Sequence, residues 1–243
     1  VAEVAAKNGL KVALSGIGGD ELFGGYDSFL QVPRLSRLLG WIPGLPHFGR
    51  VFRAIAAPLF GHMVSPKYAG LFEYGGSTAG SYLLRRGLFM PWELPKIMDP
   101  DFAAAGWQSL QPIIQLEKSA AGLSRDENRV RAMETNFYLR NQLLRDADWA
   151  GMAHSLEIRV PFLDVELFKA LAPLFGTTFS PTKRDMAETL RNSLPADILN
   201  KPKTGFSVPV EQWLSETAAG SDKKGGARLR KWAKYVYEAQ TGS

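Results

Sequence analysis

The most constraining stretch is residues 10–26, LKVALSGIGGDELFGGY, where a short apolar run ends in a loop with glycines at 16, 18, 19, 24 and 25 and with Asp20 and Glu21 among them. Residues 1–9 have helical character, and Asn8-Gly9 is a helix stop, since Gly readily takes the left-handed conformation that ends helices. Leu10 to Leu14 reads as a short buried strand. Asp20 stands where it would cap a helix beginning at Glu21, its carboxylate accepting orphan N–H groups and facing the positive end of the helix dipole. The order is an α-to-β unit, then a glycine loop, then a helix.

The glycines narrow the chemistry. Counting from Gly16 gives Gly18 but then Glu21, so this is not a GxGxxG dinucleotide loop, and no GKS or GKT follows, so it is not a Walker loop. Glycines at 16, 18 and 19 let backbone N–H groups approach a ligand, and a helix start suits an anion. Two carboxylates there repel a phosphate unless a divalent cation lies between, and hard oxygen ligands suit Mg²⁺. The competing reading is a tight turn capped by Asp20, with Glu21 merely favouring the dipole. Spacing alone leaves both open.

From Pro33 to Gly122 the chain is rich in Pro, Gly and aromatic residues, which predicts short helices separated by proline turns, and packing more than chemistry. Ser124-Arg-Asp-Glu127 reads as a capping box opening a helix to about Asp146, with Val130, Met133, Phe137 and Leu144 along one face. Gly151 to Asp164, GMAHSLEIRVPFLD, loses that period and reads as an ordered loop leading into a helix at Val165 to Leu171. KPKTGFSVP, Lys201 to Pro209, reads as another loop, followed by a short helix around Trp213, a linker from Ala219 to Gly226 and a basic, aromatic last helix from Leu229 to Ala239. No internal repeat is visible.

Composition removes several classes. With no cysteine among 243 residues, disulfides, cysteine nucleophiles and cysteine-ligated zinc are excluded for this segment. The net charge of +5 is spread along the chain except near the C-terminus, and ARLRKWAKYVYEA suits an amphipathic helix better than a nucleic-acid surface, so no nucleic-acid partner is expected. Trp41 to Phe60 is apolar, but Pro43, Pro46, Arg50, Arg53 and Pro58 interrupt it, so no membrane partner is expected and the reading is a cytoplasmic protein. The opening VAEVAAKNGL resembles the second half of a helix, which leads us to expect part of a longer chain.

Three segments together carry a family resemblance. LSGIGGDELFGGY, LLRDADWAGMAHSLEIRVPFLD and KPKTGFSVPVEQWL resemble, in the same order, the signature segments of the glutamine-dependent asparagine synthetases, and they span about Leu14 to Leu214. That resemblance implies an α/β PP-loop ATP-pyrophosphatase synthetase domain, predominantly helical here, with residues 1–243 its C-terminal portion. The glutaminase domain and the SGGxDS pyrophosphate loop are not in this chain. The implied reaction adenylates the aspartate side chain with ATP and Mg²⁺, and ammonia then displaces AMP. Its partners are aspartate, ammonia, ATP and an N-terminal glutaminase domain, with a homodimer left open, and the segment alone is expected to be inactive.

Residue by residue, the resemblance places Ser15 and Gly16 against the nucleotide, Asp20 on the Mg²⁺ of the pyrophosphate and Lys203 beside the carboxylate being adenylated. Without it, Lys203 reads as a solvated loop lysine. Arg159 between Glu157 and Asp164 reads as a structural ion-pair cluster in preference to a substrate contact. His47, His62 and His154 carry no assignment. One departure matters: the third residue of the first motif is commonly Glu or Asp, serving amide formation, and here it is Ile17, which cannot accept a proton. Two alternatives therefore stand beside asparagine formation: a specialised amide synthetase acting on another carboxylate, and a nucleotide-binding homologue without turnover.

Overall fold

A computed structural model describes residues 1–60, 66–190, 194–201 and 225–242, without the side chains of 56–60, 66 and 225–228. The chain opens as expected: α1 (Ala2–Lys7) stops at Asn8-Gly9, where Gly9 has φ 79°, and β1 (Val12–Leu14) follows. The sequence suggested a loop at Gly151 to Asp164, but that segment contains β2 (Glu157–Arg159), which pairs parallel to β1 in the register Val12↔Glu157, Ala13↔Ile158, Leu14↔Arg159. A three-residue strand with one apolar residue has too little alternation to show itself in a sequence.

The expectation that Leu10 to Leu14 is buried is corrected. Leu10, Val12 and Leu14 are 53%, 40% and 75% exposed, because among the described residues β1 has only β2 beside it.

Most of the chain is helical. After the short α2 (Gly19–Phe23) come α3 (Ser28–Gly40), α4 (Leu45–Phe60), α5 (Leu71–Tyr74) and α6 (Thr78–Arg86). Then α7 (Pro100–Leu110) and α8 (Pro112–Ser119) each open on a proline, where the missing N–H costs nothing. α9 (Asp126–Met133) does not use the anticipated capping box: its N-cap is Arg125, with no side-chain cap. It continues through a π-helical stretch (Glu134–Leu143) into α10 (Leu144–Met152), one rod where a single α-helix to Asp146 was expected. α11 (Val165–Leu171) lies where the sequence put it, capped by Asp164, which accepts from the N–H groups of Glu166 and Leu167 at 2.9 Å. α12 (Lys183–Glu188), α13 (Ala196–Leu199) and α14 (Gly225–Thr241) complete the described chain. The short helix around Trp213 and most of the Ala219 to Gly226 linker lie outside the described residues.

The core forms where α3, α6, α8 and α9 converge. Phe29 and Val32, Ala79 and Tyr82, Leu116, and Val130 with Met133 are packed there with almost no solvent contact. Glu134 is entirely buried beside them. It is fully partnered: the Ser28 and Tyr82 hydroxyls donate to it, the latter at 3.1 Å, and Arg86 donates through Nε and Nη2 at 3.0 and 2.9 Å. Burial opposes the Arg86 charge, but the Glu134 carboxylate outweighs it and holds Arg86 above its ordinary pKa. The Arg86 guanidinium also lies over the rings of Tyr26 and Tyr138, at 4.7 and 3.9 Å.

Candidate active site

The loop between β1 and α2 leaves the C-terminal end of a parallel strand, the end at which open α/β sheets bind ligands. Ser15 is fixed there by the second motif: its N–H donates to the Arg159 carbonyl at 2.8 Å, extending the β1–β2 ladder, and its hydroxyl accepts from Ile17 N–H at 3.3 Å. Phe162 and Leu163, just beyond β2, cover the start of α2. A Cβ on Gly18 would meet the Leu163 side chain at 2.5 Å, and Phe162 packs edge-on against Phe23 at 5.9 Å. Two sequence-distant signatures thus close on one loop.

The glycines of that loop have different duties. Gly18, the actual N-cap of α2, has φ 94°, and Gly24 at the other end has φ 65°, both left-handed. Gly25 lies so close to Asp20 and Lys183 that no side chain fits. Gly16 is exposed, is not left-handed, and a Cβ built on it meets nothing within 4 Å. No described residue of the chain requires glycine at 16.

Asp20 does not cap α2, contrary to the sequence expectation, because the N-cap position is filled by Gly18 and Asp20 falls inside the first turn. Its carboxylate instead meets the Lys183 ammonium at 2.5 Å, in a pair that is partly open to solvent. Lys183 is the first residue of α12, whose N-cap Thr182 and Asp185 form a reciprocal capping box. The sequence reading missed Lys183. The capping pattern Thr182-x-x-Asp185 could have located the helix, though not the partner across space.

Glu21 turns the other way and is 2% exposed. The Tyr26 hydroxyl donates to its Oε1 at 2.9 Å, and Oε2 has no hydrogen-bond partner. Burial pushes Glu21 above the usual carboxylate range, against the Tyr26 hydrogen bond, with the Asp20 and Glu134 charges adding to the rise. Arg131 of α9 clamps the helix from below: Nε donates to the Glu21 carbonyl at 3.0 Å and Nη2 to the Leu22 carbonyl at 3.4 Å, satisfying groups that a five-residue helix leaves bare. The Arg131 guanidinium lies 4.0 Å from the Phe175 ring centroid. Burial lowers its pKa to about 10, so it stays charged at neutral pH.

Other sequence candidates resolve differently. Arg159 donates to Glu157 at 2.7 Å on an exposed strand face, but Asp164 is spent on capping α11, so the expected cluster is a single pair. Lys203 lies outside the described residues. Among the described residues, no three His, Asp or Glu side chains converge as a metal cage. Asp20 alone suits a cation that brings its other ligands with it, because Mg²⁺ keeps waters and takes one or two carboxylates plus substrate phosphates. The Lys183 ammonium beside Asp20 shows that the position holds positive charge.

Comparison with known proteins bears on the same segments. A family model described as asparagine synthase matches residues 1–234. The chain is 31% identical over 222 residues to the "Putative asparagine synthetase [glutamine-hydrolyzing]" of Mycobacterium tuberculosis H37Rv, covering 86% of this chain and 31% of that protein. It is 28% identical over 216 residues to "Asparagine synthetase [glutamine-hydrolyzing] 1" of Bacillus subtilis 168, covering 86% of this chain and 32% of that protein. The chain therefore spans about a third of the length of these relatives. No solved structure matches it significantly. No helix among the described residues is long and apolar enough to cross a membrane.

Proposed function

The chain belongs to the asparagine synthase family, and from that premise we propose that it is the C-terminal portion, residues 1–243, of a PP-loop synthetase domain that makes asparagine from aspartate, ATP and ammonia. The observation that carries this reading is Gly16, a glycine with open space around it at the mouth of a parallel strand.

Ser15 and Gly16 lie against the nucleotide, with Ser15 oriented by the Arg159 carbonyl. An oxygen of the aspartate side chain attacks the α-phosphorus, the new P–O bond forms as the bond to the β-phosphate breaks, and pyrophosphate leaves. Ammonia then attacks the activated carbonyl carbon, AMP departs as the C–O bond breaks, and the proton lost from nitrogen passes to water. Asp20 would hold a Mg²⁺ that accompanies the phosphates. That ion, when bound, neutralises charge on the departing pyrophosphate. The Lys183 ammonium, which pairs with Asp20, would also be within the chemistry of the site as a partner for anionic phosphate oxygens. Lys203 would act beside the carboxylate being adenylated, as the family resemblance implies. Ammonia is supplied by a glutaminase domain elsewhere in the protein, and the protein is cytoplasmic.

Ile17 favours a second reading. It offers no group to take the proton that ammonia loses on attack, so a carboxylate other than aspartate, brought with its own base, is the alternative acceptor. One assay separates the two: the full-length protein with ATP, Mg²⁺, aspartate and ammonia, following AMP, pyrophosphate and asparagine together. Asparagine formed in step with AMP is the expected result. AMP at background rejects aspartate as the acceptor and moves the specialised-synthetase reading ahead, with a homologue that binds nucleotide without turnover behind it.

A further inference from the structure

Where the start of α6 meets α3, α8 and the first turns of α9 there is a polar cavity of about 300 Å³. None of the residues that line it belongs to the β1–α2 loop. Four of them are charged, and they divide into two kinds. Arg37 and Asp126 satisfy one another, Arg37 Nε donating to the carboxylate at 2.9 Å. Arg129 and Glu117 share the cavity but form no ion pair among the described residues, with each other or with any third group. The Arg129 Nε is buried in the protein. The stem of that side chain is therefore fixed, and the outer end of the guanidinium is what it offers to the cavity.

The start of α6 adds donors to the same wall. The Ser77 hydroxyl accepts from Gly80 N–H at 3.0 Å, which leaves the N–H groups of Thr78 and Ala79, both at the cavity, outside any intrahelical bond. Thr78 is 5% exposed, and its hydroxyl has no hydrogen-bond partner among the described residues. Unlike the Arg129 Nε, this hydroxyl is not sealed from solvent, and the opening beside it is the cavity. A helix start, a hydroxyl and a guanidinium on one wall suit a carboxylate. They do not suit a free phosphate here, because Asp126 and Glu117 offset Arg37 and Arg129 and leave the wall neutral as a whole. A neutral cavity with one unpaired charge of each sign matches a ligand that carries both. The volume is roughly that of ten waters at about 30 Å³ each, room enough for a small organic molecule.

We propose that this cavity binds a free α-amino acid as its zwitterion, the carboxylate held by Arg129, Thr78 and the start of α6, and the ammonium by Glu117. The site does not depend on which carboxylate the β1–α2 loop serves, since it shares no residue with that loop.

The probe is L-serine, titrated calorimetrically into the full-length protein. Serine is neither the acceptor nor the nitrogen donor of the reaction proposed above, so its binding and that reaction stand or fall separately. N-acetyl-L-serine, which keeps only the carboxylate, and L-serinamide, which keeps only the ammonium, are the controls. Saturable one-to-one binding of serine is expected, with both controls weaker by at least about tenfold, the size of losing a hydrogen bond to a charged group. Arg129→Gln and Glu117→Gln should each weaken serine binding by the same order. Neither substitution breaks an ion pair, and Glu117 is exposed, so the second variant keeps the test open if the first fails to fold. Asp20→Asn leaves the dissociation constant within about twofold. Absence of saturable binding would mean that the cavity holds water only, and overturns the proposal. So would equal binding of N-acetylserine or of serinamide, or an affinity unchanged in Arg129→Gln or in Glu117→Gln. Loss of binding in Asp20→Asn would place the amino acid at the β1–α2 loop, and overturns it too.

Discussion

Around Glu134 four helices meet, Val130 and Met133 are shut off from solvent, and the carboxylate has donors from Ser28, Tyr82 and Arg86. Twelve residues into the chain the situation is reversed: β1 has one partner strand among the described residues, and Leu14 is 75% exposed. The proposed chemistry belongs to the second region, the close packing to the first. Among the described residues, side chains of the first region reach into the second. Arg131 reaches from α9 to the carbonyls of α2, and Tyr26, stacked beside Arg86, reaches Glu21. The start of α2, beside the β1–α2 loop, is thus held by side chains of the packed body. Loops positioned by a scaffold commonly carry function in this way.

The strongest way to break this contrast is at its most buried charge. Glu134→Ala leaves the half-buried Arg86 without its counter-ion, and we expect a loss of about 3–5 kcal/mol, the usual cost of removing one partner of a buried pair. Urea unfolding measures it. Adding Arg86→Leu to that variant should recover part of the loss, because the stranded charge goes with it. A smaller test compares equal chemistry in the two regions. Met133→Ala, at a site 0% exposed, should cost about 2–5 kcal/mol. Leu14→Ala should fall within about 0.5 kcal/mol. A large loss at Leu14 would mean that something covers β1 in solution, and the comparison would have to be redrawn.

How much of this the sequence discloses follows from which interactions are local. The helix stop at Asn8-Gly9 and helix α11 are dictated by residues a few positions apart, and they were legible; the strand before Ser15 was legible from its apolar run, although its partner was not. Ser15 and Gly16 fall on the loop after β1, as the motif suggested, while Asp20 falls inside the first turn of α2. Strand β2 was not legible, since its existence depends on β1, more than a hundred residues earlier, for every hydrogen bond. Nor was the partner of Asp20. An acidic residue just ahead of a helix looks like a cap whenever its distant cation is unseen, and Lys183 is brought to it only by tertiary packing. Burial at 10–14 was misjudged for the same reason: an apolar run shows what a strand would prefer, not what lies over it.

Within the loop, the two kinds of glycine sharpen the contrast on a finer scale. Gly18→Ala forces a side chain into a left-handed position facing Leu163 and should cost about 1–2 kcal/mol. Gly16→Ala should leave stability within about 0.5 kcal/mol, because nothing surrounds the new methyl group, while weakening nucleotide binding. Paired thermal melts and ATP titrations would show the two effects separately. If Gly16→Ala destabilised the fold without changing nucleotide affinity, the assignment of that glycine to a ligand would fail.

The smallest effect is expected at α12, which carries Lys183 to Asp20. The Asp185 carboxylate accepts from the Thr182 hydroxyl and N–H at 2.6 and 2.8 Å, and these bonds hold its pKa below the ordinary carboxylate range. A carboxylate depressed on folding contributes stability that is present above its unfolded pKa and is lost as the pH falls through the lower, folded value. The cap should therefore persist through neutral and mildly acid solution and open only below about pH 4, given an unfolded Asp near 3.9. Amide exchange at the start of α12, followed from pH 5 downward, reports the opening directly. In Asp185→Asn the same amides should exchange at a protection that does not change over that range, because the side chain no longer titrates. An unchanged acid transition in that variant would assign it to another group, and the positioning of Lys183 would then rest on packing alone.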